Sequence, residues 1–199
     1  MAEKNLLIFN EIIDITEKAE LAGVLSKELA KYSIYDVMKI SSWLDREIDL
    51  LPSPYRKKLR PYFVEQLFGR HTKIMAMRSN GGFHGLKGRI GYPSFYREFC
   101  NTERMHIRAV CESERDRDAA HGLFSGFSSL YYMLIGCFCI FVLEEPGHPV
   151  GTPFPGGFEV VHRGNSYYCP LRDKEKDVAH SICNFCPAKQ DEDNRCRKW

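Results

Sequence analysis

The 22 residues from Gly122 to Leu143 carry no charge, and any fold this chain adopts must take them out of water. That length is enough to cross a bilayer. Yet the segment contains Ser125, Ser128, Ser129, Tyr131, Tyr132 and Gly136, and it runs into Glu144 and Glu145. No basic cluster stands beside either end to set an orientation. A helix apolar on every side is also what the middle of an all-α bundle requires. The expected architecture is therefore mainly α, a multi-helix domain around an apolar central helix over 123–143 rather than a membrane span.

The chain around it supports one main body. Its 199 residues are 44% hydrophobic, with 13 Phe and 10 Tyr, which is enough apolar surface to offset the entropy of ordering. A net charge of +2 from 28 basic and 26 acidic residues gives no global field of the kind nucleic acids or anionic membranes select. A nucleic-acid module would have to use a local patch, for which Arg56, Lys57, Lys58 and Arg60 are available. The N-terminal residues alternate apolar and charged types and lack a secretory signal, so the expected compartment is the cytoplasm.

Ahead of the central segment the pattern is helical. Phe9, Ile12 and Ile13, then Leu21, Val24, Leu25 and Leu29, recur at three and four. Ser33 followed by Asp36 is a helix start, and Val37, Ile40, Leu44, Ile48 and Leu51 continue it to Pro52. Ser53-Pro54 is read as N-cap and first residue of the next helix, which Pro61 should kink or split. Residues 80–93 carry glycine at 82, 85, 88 and 91. They read as a mobile surface loop, with Lys87 and Arg89 as anion contacts in the alternative. Ser94 is expected to cap a helix through Phe95, Phe99, His106, Val110 and Cys111. Prolines and glycines between 146 and 157 mark a boundary, dividing a helical domain (1–145) from a C-terminal lobe (146–199). In that lobe 158–162 and 166–169 flank Arg163-Gly164-Asn165 as a small β-hairpin.

The strongest chemical signal is at the C-terminal end. Cys169, Cys183, Cys186 and Cys196 are separated by thirteen, two and nine residues. A C-x-x-C brings two thiolates to one metal from a single turn, and loops of this length let the outer two close the shell. Four thiolates suit zinc or a [4Fe–4S] cluster. Zinc ribbons usually present two matched knuckles and only one is found here. Proline follows both Cys169 and Cys186, as at the closing cysteine of bacterial ferredoxin runs, which tips the choice toward iron–sulfur. His162 and His180 could replace one thiolate in a zinc site. Cys137, Cys139, Cys100 and Cys111 are assigned to packing.

No serine elbow, kinase loop, zincin helix or dinucleotide fingerprint occurs. Arg97-Glu98, the stretch 116–121, and Glu159 with His162 offer acid–base groups without a pattern that names a reaction. Three functions follow: a metal- or cluster-binding protein, structural or redox, acting through protein partners; a metal-dependent enzyme with its site between helical body and cysteine lobe; and a nucleic-acid-binding module.

Tyr-Tyr-Cys-Pro at 167–170 and Cys-Asn-Phe-Cys-Pro-Ala at 183–188 resemble archaeal uncharacterised protein family 0305, also called domain of unknown function 2115. The length fits a single copy of that domain. The resemblance implies an archaeal, largely methanogen setting and no assigned activity.

Overall fold

The computed structural model describes residues 2–115 and 126–194. The chain is mainly helical with a small C-terminal β region. The expectations for 116–121, for the first residues of the central segment and for Cys196 lie outside the described residues, as does the side chain of Cys111.

Helix α1 (Ala2–Ile12) and α2 (Lys18–Leu29) bury Phe9, Ile12, Leu21, Leu25 and Leu29, the positions that the periodicity marks. Helix α3 (Ile34–Asp49) opens on a capping box. The Asp36 amide donates to Ser33 Oγ at 3.3 Å, and the Ser33 amide donates to the Asp36 carboxylate at 2.9 Å. Its buried stripe is Ile40, Leu44 and Ile48. Helix α4 (Tyr55–Val64) starts one residue later than expected, with Pro54 rather than Ser53 at the cap, and it runs through Pro61 without splitting. The register widens only beyond it, as a π-turn over Glu65–Gly69 that leads into α5 (Arg70–Ser79).

The glycine loop is not free. The Ile90 amide donates to Thr16 O at 2.8 Å, Lys18 N to Gly88 O at 3.2 Å, and Arg89 bridges to Glu17. Ile90 is buried, so this segment is stitched to the α1–α2 connection. Helix α6 (Pro93–Arg115) begins at Pro93 rather than at Ser94. Proline has no N–H to lose in the first turn, and Tyr96 N donates back to Tyr92 O at 3.1 Å.

The centre is α7 (Gly126–Cys137), which becomes a π-turn over Phe138–Val142. It packs against α1, α2 and α6, and Leu134, Cys137, Phe138 and Cys139 are wholly buried. Cys100 joins the same core. Among the described residues no helix is long and apolar enough to cross a membrane.

Beyond residue 145 the sheets are short. Strand β1 (Pro153–Phe154) pairs antiparallel with β2 (Phe158–Glu159). The hairpin is β3 (Val161–Arg163) with β4 (Ser166–Cys169), so 158–159 belongs to a different pair from the one expected. Strand β5 (Lys189–Gln190) adds to β4 in parallel, Cys169 opposite Gln190. Between β4 and β5 a 3₁₀ turn, Ile182–Phe185, anchors this region to the helices. Phe185 meets Phe99 edge-on at 5.3 Å between centroids, and Ile182 sits over Gly136, where a Cβ would collide with it.

Candidate functional site

The site forms where three pieces of chain with no local relation meet: the π-turn before α5, the loop after α7, and the segments around β4 and the C-x-x-C turn. The wider π register turns Gln66 and Arg70 inward, 2% and 6% exposed. The Arg70 guanidinium donates to the carbonyls of Pro146 and Gly147, the latter from Nη1 and the former from Nη2 at 2.7 Å. These carbonyls are thereby satisfied away from water. The grip also fixes the next amide group, because Gly147 N–H donates to Cys186 Sγ at 3.4 Å.

Cys169, Cys183 and Cys186 arrive together from β4 and the 3₁₀ turn. Burial pushes Cys169 up to about 11 and Cys183 up to about 12. Cys186 is raised as well, by the same cause. The three lie within one another's field: Cys186 acts on Cys169, and both act on Cys183. Opposing the burial are backbone hydrogen bonds, from Leu171 and Arg172 to Cys169 and from Ala188 and Gly147 to Cys186. Amides two and three residues beyond a cysteine, turned back on its sulfur, favour the thiolate. Gln190 holds the Cys169-Pro170 turn. Its side-chain amide donates to Pro170 O at 3.1 Å, and its carbonyl accepts from Asp173 N at 2.9 Å. Behind it Arg163 pairs at 3.0 Å with Asp191. Against a burial that would raise it, hydrogen bonds from Asn194 and Arg163 hold the Asp191 carboxyl below its ordinary value.

Cys169 and Cys183 line a cavity of about 430 Å³ between α6, α7 and the lobe, whose other polar walls include Ser129, Tyr132, His106, His148, Glu175 and His180. His106 and His180 stack face to face, 4.2 Å between centroids and 5° from parallel. His106 is lowered by burial and by His180. His148 is lowered to about 4 by burial and then by the Arg70 charge. Among the described residues no group of three or more His, Cys, Asp or Glu is placed to hold a metal ion. Cys186 faces a second cavity, with Phe185 and Tyr92.

Glu103 is the oddest group nearby. It is fully buried, both carboxyl oxygens lack a hydrogen-bond partner among the described residues, and burial raises it from 4.5 to about 8. Its charge would be felt at Tyr132, on the cavity wall.

Residues 17–191 match the family described as "Uncharacterized protein conserved in archaea (DUF2115)". The chain belongs to this family. A UPF0305 protein of Methanothermobacter thermautotrophicus is 30% identical over 174 residues, 87% of this chain and 96% of that one. A second UPF0305 protein of that organism is 50% identical over 170 residues, 85% and 94% of the two chains. One from Methanocaldococcus jannaschii is 27% identical over 170 residues, again 85% and 94%. No solved structure matches.

The DUF2115 span contains Cys169, Cys183 and Cys186 and stops before Cys196. Of the two histidines considered as substitutes, His180 lies on the cavity that Cys169 and Cys183 line. His162 does not, since it stacks on Tyr167 on the exposed face of the hairpin, 4.6 Å between centroids. Arg60 pairs with Asp45 and Asp49, and Arg56 donates to Asp49 O at 3.1 Å, so half of the basic quartet is occupied within the fold. Sequence reasoning missed Arg70, His148 and Glu103. For Glu103 there was a signal: Tyr96, Phe99, Cys100, Glu103 and Ile107 form one helical stripe, and a carboxyl on an apolar stripe is out of place unless it is used.

Proposed function

We propose that this DUF2115 protein binds a metal ion or iron–sulfur cluster through Cys169, Cys183 and Cys186, with Cys196 as the fourth ligand, and works in the cytoplasm through protein partners. One observation carries the reading: the buried thiols of Cys169 and Cys183 and the half-buried Cys186, from β4 and from one turn, lie in one another's field, with backbone amides directed at two of the sulfurs. Buried thiols with no further purpose gain nothing from such donors, whereas metal thiolates are tuned by them. The donor set fits zinc and [4Fe–4S] alike by softness. Zinc would supply a structural clip, and a cluster would add one-electron chemistry.

The chain's own part is to desolvate the thiols, set their hydrogen bonds and hold the turn after Cys169. Arg70 serves this indirectly, fixing the 146–147 carbonyls and so the Gly147 amide at Cys186. Anaerobic purification with metal analysis and a visible spectrum, beside Cys183→Ser, tests the proposal. Iron with sulfide, or zinc, in near-stoichiometric amount and lost in the variant is the expected result. Metal-free protein, or metal retained by the variant, overturns it.

A second reading, a metal-dependent enzyme, has support of its own in the cavity between body and lobe, where His106, His148, His180 and Glu175 adjoin Cys169 and Cys183. Catalytic metal sites keep an exchangeable position. Cobalt-substituted protein whose spectrum shifts on adding azide would favour the enzyme, and an unresponsive spectrum the closed, structural site.

A further inference from the structure

Next to the cavity just described lies another of about 480 Å³, walled mainly by side chains of α3 and α4, Ile40, Trp43, Leu44, Ile48, Leu59 and Phe63 among them. The two cavities share Tyr132 and His148 as a common wall. Both walls are mainly apolar, the first carrying more histidine, serine and cysteine side chains and the second more aliphatic and aromatic ones, and both are of the size that holds small organic molecules.

Two buried polar groups flank the shared wall without partners among the described residues. Ser129 Oγ, in a residue 1% exposed, lies on the first cavity, and Gln66 Oε1, in a residue 2% exposed, on the second. The Gln66 amide nitrogen does have a partner, Tyr132 Oη at 3.4 Å. Buried polar atoms are rarely left unsatisfied, and here two such atoms lie on either side of one tyrosine. Charge narrows the ligand further. Among the described residues neither cavity has a lysine or arginine on its wall, and each has a glutamate, Glu175 in one and Glu47 in the other. Arg70, whose charge reaches Tyr132 and His148 from behind the wall, is engaged by the Pro146 and Gly147 carbonyls, so a carboxylate or phosphate would meet a like charge in either compartment and no cation free to pair with it on the described walls.

We propose that the paired cavities bind an uncharged amphiphile, its hydroxyl or amide head seated at Ser129, Gln66 and Tyr132 and its hydrocarbon tail among Ile40, Trp43, Leu44 and Phe63. The head seat lies in the cavity that Cys169 and Cys183 also line but uses neither sulfur, and it does not depend on a metal. The head donates to Gln66 Oε1 and exchanges hydrogen bonds with the Ser129 hydroxyl, while the tail displaces water from an apolar wall.

The test uses 1-octanol, octanamide and octanoate, titrated by calorimetry and by Trp43 emission in a Trp199→Phe host, which leaves Trp43 as the sole tryptophan. Saturable binding of octanol and octanamide is expected, with octanoate weaker by about tenfold or more. The double variant Ser129→Ala/Gln66→Leu should weaken octanol by about tenfold, and Ile48→Phe, which fills the compartment around the tail, should abolish it. The comparison of octanol with octanoate on unaltered protein stands even if a variant fails to fold. Equal or tighter binding of octanoate, no binding of octanol, or octanol binding indifferent to the folded double variant overturns the proposal. Running the series on Cys186→Ser separates this result from the metal reading, because that proposed ligand lines neither cavity and binding should survive its loss.

Discussion

The helical body and the C-terminal lobe are held together by different physics. The body buries one continuous apolar cluster that includes Leu21, Leu25, Phe99, Leu134 and Phe138. Among the described residues the lobe has a buried cluster of its own of only four, Phe154, Val160, Cys169 and Ala188. Its remaining order comes from polar contacts, Arg163 with Asp191 and Gln190 with Pro170 and Asp173, and from Ile182 and Phe185, which reach out of it into the core of the body. A unit with so little apolar burial needs staples. The thiols lie where a staple would act, and a structural metal would supply one.

The largest effect expected short of removing a thiol concerns the body. Glu103 is raised to about 8 in the folded chain from an ordinary 4.5, so the folded state binds its proton more tightly than the unfolded state does. Its contribution is intact below about pH 4.5 and is lost as pH rises through 8, on the order of a few kcal/mol. Glu103→Gln stays neutral, and urea unfolding of the variant at pH 5 and pH 8.5 should show that much less fall than the parent. An identical fall in both would mean that some other group titrates. Next comes Arg70→Met, which strands the Pro146 and Gly147 carbonyls and frees the Gly147 amide, at about 3 kcal/mol. Hydrogen exchange should quicken at 146–148 and around Cys186 before it does in α2 or α7. Uniform quickening would erase the contrast between the two regions.

The body was legible in the sequence because its rules are local. Ser33 and Asp36 announce α3, the three-and-four spacing marks Leu21, Leu25 and Leu29, and the uncharged run before Leu143 had to become the centre. The boundaries that failed, Ser53 and Ser94, are cases where a neighbouring proline took the first turn. The glycine loop was misjudged because what pins it, Thr16, Glu17 and Lys18, is remote in sequence. At the site the C-x-x-C and the Tyr-Tyr-Cys-Pro turn were visible, being short motifs. Arg70 and His148 were not, since an arginine in a helix and a histidine in a Pro/Gly loop look like solvent-facing residues until the π-turn and the chain reversal after α7 bring them inward.

Gly136→Ala probes the joint itself. A methyl there meets the Ile182 side chain, which must swing away from α7, at about 1–3 kcal/mol for an overpacked contact. The loss should appear as faster exchange at 182–186 with α2 and α3 unchanged, and metal retention, if metal is bound, should fall with it.

Ser33→Ala is the smallest change and completes the contrast from the other side. It removes the hydroxyl that accepts the Asp36 amide, costing about 1 kcal/mol. Because α3 belongs to the body's core and carries walls of the cavity beside Trp43 but no part of the lobe, the cost should register in global unfolding while exchange around Cys169, Cys183 and Cys186 keeps its native rate. If those amides quickened as much as α3, body and lobe would open as one cooperative unit, and the thiols would be better understood as part of the body's core than as the staple of a separate lobe.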